Sequence, residues 1–218
     1  MKKYIIALVV FLSFFTILTT IPVDANKTIV SPNLEEAVKF ELGINPDEKV
    51  TISPEELKDL IRLDASWWEI SDLTGLEYAT NLKELYLEGN QLSNITPTSH
   101  LSQLKILALA DNNIKDISPL RNLNKISFLD LSRNEIDNVS SLSNISFSNA
   151  KGGLDLSFNK ISDISSLSNV VVPDNRDYFY LNLSNNHLTN LNGIANMTGL
   201  TELRADHNNI SNVEGIKN

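Results

Sequence analysis

Histidine is the side chain that exchanges a proton near neutral pH without help, and this 218-residue sequence has three: His100, His187 and His207. With a hydroxyl and a carboxylate in reach, any of them could activate a nucleophile. Serine and aspartate do recur together, as Asp130-Leu131-Ser132 and Asp155-Leu156-Ser157. Both triplets stand at the same place in a longer repeat, which accounts for their spacing without catalysis, and the histidines fall at different places in it. No H-E-x-x-H, G-x-S-x-G or phosphate-loop pattern occurs. The absence of cysteine removes both a thiolate nucleophile and a thiolate metal site. No catalytic residue, metal site or cofactor is therefore expected.

The polar chemistry that does recur belongs to asparagine. Asn90, Asn112, Asn134, Asn159, Asn186 and Asn208 follow one another at steps of 22, 22, 25, 27 and 22 residues. A carboxamide has two donors and a carbonyl acceptor, so each is expected to satisfy the turning backbone of its own coil and the next. The asparagines are embedded in L-x-x-L-x-L-x-x-N-x-[IL]-x-x-[ILV], clearest at Leu82 to Ile95, Leu104 to Ile117 and Ile126 to Val139. Degraded copies surround Leu154 and Leu181, and a last one starts at Leu200.

Two periods inside each copy predict its shape. The L-x-L core alternates as a strand does, with Leu85 and Leu87 inward and Glu84, Tyr86 and Glu88 outward. The spacing by threes of Ile114, Ile117, Leu120 and Leu123 suits a slender 3₁₀ or extended return, on which His100 also falls. One such coil cannot bury enough apolar surface to fold alone, so the array is the folding unit. The predicted class is an α/β solenoid: a leucine-rich-repeat horseshoe with a parallel concave sheet, a 3₁₀ or extended convex side and an N-terminal α-helical cap.

The array spans 60–218 and its first coil is imperfect, with Ala65 for a leucine and Trp68 for the asparagine. Trp67 and Trp68 are expected to seal the junction with the cap. The cap, 26–59, contains two short helices. Ser31-Pro32 opens one that presents Leu34, Ala37, Val38 and Leu42 and ends at Gly43. Ser53-Pro54 and Glu56 open the second, with Leu57, Leu60 and Ile61 as its apolar side. Residues 1–25 have a signal-peptide layout: Lys2 and Lys3, an apolar run from Ile5 to Leu18, then small residues to Ala25. The expected mature chain starts at Asn26, without membrane insertion. At the other end Leu200, Leu203, Ile210, Val213 and Ile216 have no following coil in the sequence. Either the natural chain is longer, or the end frays or pairs with a second copy as a homodimer.

The net charge of −9 becomes −10 once Lys2, Lys3 and Asp24 are removed, and no basic stripe offsets it. An acidic surface repels phosphate backbones and anionic headgroups, which disfavours nucleic acid and membrane surfaces and favours a protein with a basic patch.

The signal layout, Ser53-Pro54-Glu55-Glu56-Leu57, the link Ile70-Ser71-Asp72-Leu73-Thr74-Gly75-Leu76 and repeats such as Asn112-Asn113-Ile114-Lys115-Asp116-Ile117-Ser118-Pro119-Leu120 resemble internalins. The resemblance implies a surface or secreted protein of a Gram-positive bacterium whose curved sheet binds host proteins. It names no target, since members bind different ones. The sequence has neither the immunoglobulin-like domain nor the sorting signal of larger members. The expected function is thus a secreted or cell-surface module that recognises a protein partner through its concave face, in adhesion or host interaction. A self-associating envelope scaffold is the alternative, and an enzyme the third.

The partner site is expected near the middle of the concave face. The outward residues two places after each leading position are Arg62, Glu84, Ile106, Phe128, Gly153, Tyr180 and Glu202. Polar residues hold both ends of this series. Ile106, Phe128 and Tyr180 form an apolar centre with Tyr86 one column across, and Glu84 and Glu88 form an acidic flank. Extra residues in the two longer repeats enter near 147–153 and 171–177, beside that centre.

Overall fold

The computed structural model describes residues 28–45, 48–148, 152–173 and 178–213. The signal segment, Ile216 and parts of both inserted loops lie outside the described residues.

Two capped helices open the chain. Ser31 Oγ accepts from the Leu34 amide at the start of α1 (Pro32–Glu41), and Ser53 and Glu56 form a reciprocal capping box on α2 (Pro54–Leu57). Leu34, Ala37, Val38 and Leu57 join Leu60 and Leu63 in one apolar cluster, so the helices cover the first coil as expected. α2 is shorter than its apolar pattern suggested. The Ile61 carbonyl already accepts from the Lys83 and Glu84 amides of the next coil, and Ile61, just ahead of β1, is 47% exposed.

Seven short parallel strands follow in chain order: β1 (Arg62–Asp64), β2 (Glu84–Tyr86), β3 (Ile106–Ala108), β4 (Phe128–Asp130), β5 (Gly152–Asp155), β6 (Phe179–Asn182) and β7 (Glu202–Arg204). One 3₁₀ turn lies between each successive pair of strands, for example Thr96–His100 and Ser118–Asn122. The inward residues Leu63, Leu85, Leu107, Leu129, Leu154 and Leu181 are buried, and they stack in register. Toward the last coil the packing thins: Leu200, Leu203, Ala205 and Ile210 are only partly buried.

The ladder of asparagines runs in one direction. Asn112 Nδ2 donates to the Leu87 carbonyl of the preceding coil and to its own Leu109 carbonyl, while Oδ1 accepts from the preceding coil's Leu92 amide. Asn90, Asn134, Asn159, Asn186 and Asn208 make the same set of bonds. Each carboxamide therefore serves its own coil and the one before it, not the one after. That direction explains Trp68, because the first coil has no predecessor for an amide to reach. Asn33 of α1 ties the cap to this coil by a different bond, donating to the Trp68 carbonyl at 2.8 Å.

A second regularity precedes each asparagine. Trp67, Gly89, Asp111, Arg133, Phe158, Asn185 and His207 all have φ between 53° and 65°, the left-handed turn that leads out of the strand. Trp67 is accordingly turned outward, 67% exposed, with its ring over Gly89, where an added Cβ would stand 2.2 Å from the ring. It does not seal the cap. Trp68, partly buried against the core, does.

The two longer repeats pack on each other. The Phe147 amide donates to the Val171 carbonyl, Ser146 and Val171 form a parallel bridge, and the rings of Phe147 and Phe179 meet edge to face at 4.7 Å. Phe179 pairs in register with Gly152, at a position where Lys83 and Lys105 are exposed in the regular coils. The inserted chain covers it and so anchors the start of β6.

Candidate functional site

Strand pairing sets two outward columns side by side on the concave face. One is Arg62, Glu84, Ile106, Phe128, Gly153, Tyr180 and Glu202, in register through all seven strands. The other is Asp64, Tyr86, Ala108, Asp130, Asp155, Asn182 and Arg204.

Within the first column the apolar centre closes across a glycine. A Cβ on Gly153 would stand 2.4 Å from the Tyr180 ring, so glycine is what lets that ring lie over β5. Tyr180 thereby reaches Phe128, with ring centroids 6.3 Å apart, and Tyr178 lies 6.3 Å from Tyr180 on the other side. Ile106 is the register neighbour of Phe128. Ile106, Phe128 and Tyr180 are all half-buried.

Tyr86 belongs to a different group. The Arg62 guanidinium sits over its ring at 4.9 Å while bonding Asp64 at 2.9 Å, and the Tyr86 hydroxyl donates to Glu84 at 3.4 Å. The candidate residues thus fall into an aromatic cluster on β4 to β6 and a charged cluster on β1 and β2, with Ile106 between. Glu88 leads from the second cluster toward the first. Burial pushes its carboxyl above the usual range, and the charges of Asp130 and Asp64 add to the effect.

Reading the first column alone missed Asp130, Asp155 and Tyr178. The second column was available from the same strand alternation. Burial pushes the Asp130 carboxyl above the usual carboxylate range, against the Ser132 hydrogen bond and with help from Asp155. The Tyr180 phenol is raised well above its ordinary 10.0, first by burial, then by the charges of Asp155 and Asp130. A raised phenol favours the neutral form in the fold, so its stabilisation is complete below the ordinary value and is lost as pH climbs through Tyr180's own. Spectrophotometric titration should show Tyr180 ionising late, and Tyr180→Phe should abolish that step. A curve unchanged by the substitution would contradict the buried placement.

The histidines do not converge on a reacting centre. His100 lies in a convex 3₁₀ turn, His187 follows a ladder asparagine and His207 precedes one. Ser184, Asp206 and His207 do touch, but in the wrong order. Ser184 Oγ donates to Asp206 Oδ1 at 2.5 Å, and His207 Nδ1 meets Asp206 Oδ2 at 2.8 Å. With the carboxylate in the middle, the imidazole does not face the hydroxyl, as a serine nucleophile paired with histidine requires. Among the described residues no group of His, Asp or Glu is set to hold a metal ion, and no helix is long and apolar enough to cross a membrane.

Comparison with known proteins agrees with this architecture. Residues 80–121 match the family model for leucine-rich repeats in two copies. Among solved structures, internalin C2 of Listeria monocytogenes is similar over 88% of this chain and 90% of its own, at 22% identity and TM-score 0.59. A second internalin of that organism matches over 92% of this chain and 76% of its own, at 27% identity and TM-score 0.47. A leucine-rich-repeat protein of Leptospira interrogans matches over 66% of this chain and 36% of its own, at 28% identity and TM-score 0.52. No curated protein matches the sequence. The fold is a leucine-rich-repeat solenoid, similar to that of internalin C2.

Proposed function

We propose that this solenoid is a secreted or cell-surface module that binds a protein partner on the centre of its concave face, in adhesion or host interaction. The observation that carries the reading is the aromatic cluster of Phe128, Tyr180 and Tyr178, left half-open to solvent on a parallel sheet between charged ends. Aromatic side chains held by packing lose little entropy on contact, and a polar surround excludes water from them, which is the make-up of an interface hot spot. Glu84 and Glu88 extend the surface as an acidic flank, and Tyr86 and Ile106 connect the two. Export through the segment 1–25 fits the signal-peptide layout of Lys2, Lys3 and the apolar run that follows.

The test starts with capture of surface proteins on the immobilised chain. For a captured partner, Phe128→Ala and Tyr180→Ala should each weaken binding by about 1–3 kcal/mol, with melting temperature nearly unchanged, since both side chains are outward. Unchanged affinity in the double variant, with the fold intact, would remove the aromatic cluster from the site.

A further inference from the structure

The chain shows, at one end of its own concave face, how a guanidinium is held there. Arg62 stacks over Tyr86 at 4.9 Å, bonds Asp64 at 2.9 Å and lies 3.7 Å from Glu84. These four residues occupy the two outward columns on neighbouring strands. A second guanidinium, that of Arg133, stacks over Phe158 at 4.2 Å.

The same two columns bring rings and carboxylates together again on β4 to β6, with the columns exchanged. The rings of Phe128 and Tyr180 come from the first column, and Asp130 and Asp155, directly paired across β4 and β5, come from the second. Here no cation bonds the carboxylates directly. Among the described residues neither aspartate forms a salt bridge. Asp130 accepts from the Ser132 amide, and Asp155 from the Ser157 amide and hydroxyl and from Asn182 Nδ2. Arg204, in the same column, is held to Glu202 at 2.6 Å and reaches Asp155 and Tyr180 only through its charge, without an ion pair to either aspartate. Two carboxylates opposed across a strand pair are unfavourable by themselves and become favourable when a cation covers them.

We propose that Phe128, Tyr180, Asp130 and Asp155 form a receptor for one arginine side chain of the protein partner. This rests on the concave-face reading above and adds the chemistry of what is bound. A guanidinium fits better than an ammonium because its plane stacks on a ring while its edge donates to carboxylates. The net charge of −9 favours approach of a basic surface.

The test uses N-acetylarginine N-methylamide as probe in a ¹H–¹⁵N NMR titration of the full secreted chain. The uncharged isostere N-acetylcitrulline N-methylamide and the corresponding lysine amide serve as comparisons. The arginine probe should move the amides of Gly153, Asp155 and Tyr180 and bind at least about tenfold more tightly than citrulline. The double variant Asp130→Asn/Asp155→Asn should lose that preference. It should fold normally, because Asn182 already stands in the same column and accepts from the Ser184 amide at 3.1 Å. Equal binding of arginine and citrulline, equal binding of lysine, or shifts that persist in the double variant would overturn the proposal. A captured partner weakened by Phe128→Ala but not by the double aspartate variant would overturn the arginine receptor while leaving the concave site in place.

Discussion

Asn134→Ala should destabilise the protein by about 3–5 kcal/mol, far more than an outward substitution. The asparagine is 8% exposed. Its Nδ2 donates to the carbonyls of Leu109, Leu131 and Ser132, and its Oδ1 accepts from the Ile114 amide at 2.9 Å. Alanine leaves the Ile114 N–H without a partner where water cannot easily replace one, at about 1–3 kcal/mol, and the three lost Nδ2 bonds add about 0.5–1.5 kcal/mol each, although the Leu109, Leu131 and Ser132 carbonyls keep a second donor in Asn112, Asn159 and the Asp111 amide. Asn134→Asp should be no better above the carboxylate range, since an ionised carboxylate would face three carbonyls with nothing to donate. Because each ladder amide reaches the preceding coil, the loosened amides should include those of Leu92 to Ile114 as well as its own coil. Denaturant unfolding gives the magnitude and hydrogen exchange gives the direction. A loss below about 1 kcal/mol would mean that the ladder is dispensable.

Phe147→Ala should have an effect of similar size, about 3–5 kcal/mol, for a different reason. Its ring is 1% exposed and meets Phe179 at 4.7 Å, and the deletion leaves a cavity beside Phe179. The change should also reach the concave face. Phe179 is flanked by Tyr178 and Tyr180, which project the other way, so releasing it frees the start of β6 and the aromatic cluster above it. Partner affinity should therefore fall together with stability, whereas Phe128→Ala should lower affinity alone. Melting temperature and affinity measured on both variants separate the two cases. A destabilised Phe147→Ala protein with unchanged affinity would show that the inserts do not position the site.

Both outward columns were legible in the sequence, because a period of two places every second residue of L-x-L on one face and the repeat length aligns the strands. The 3₁₀ returns were legible from the spacing by threes. Other features depend on which way a side chain leans between coils, and no period encodes that. The asparagines reach backward, Trp67 turns out over Gly89, and Tyr180 crosses Gly153 to Phe128. Ile61 looked like part of a helix face because it lies one place from a strand that begins immediately. Asp130 and Asp155 were in plain view as part of a repeated triplet, and that their charges act on Tyr180 is visible only in the packed coil.

The concave face is the proposed contact surface. Hydrogen exchange of the chain alone and saturated with its captured partner tests this directly. Protection gained at the amides of Phe128 to Asp130, Gly152 to Asp155 and Phe179 to Asn182, with the 3₁₀ turns at Ser118–Asn122 and Ser165–Asn169 unchanged, is the predicted result. Protection confined to those convex turns would contradict it.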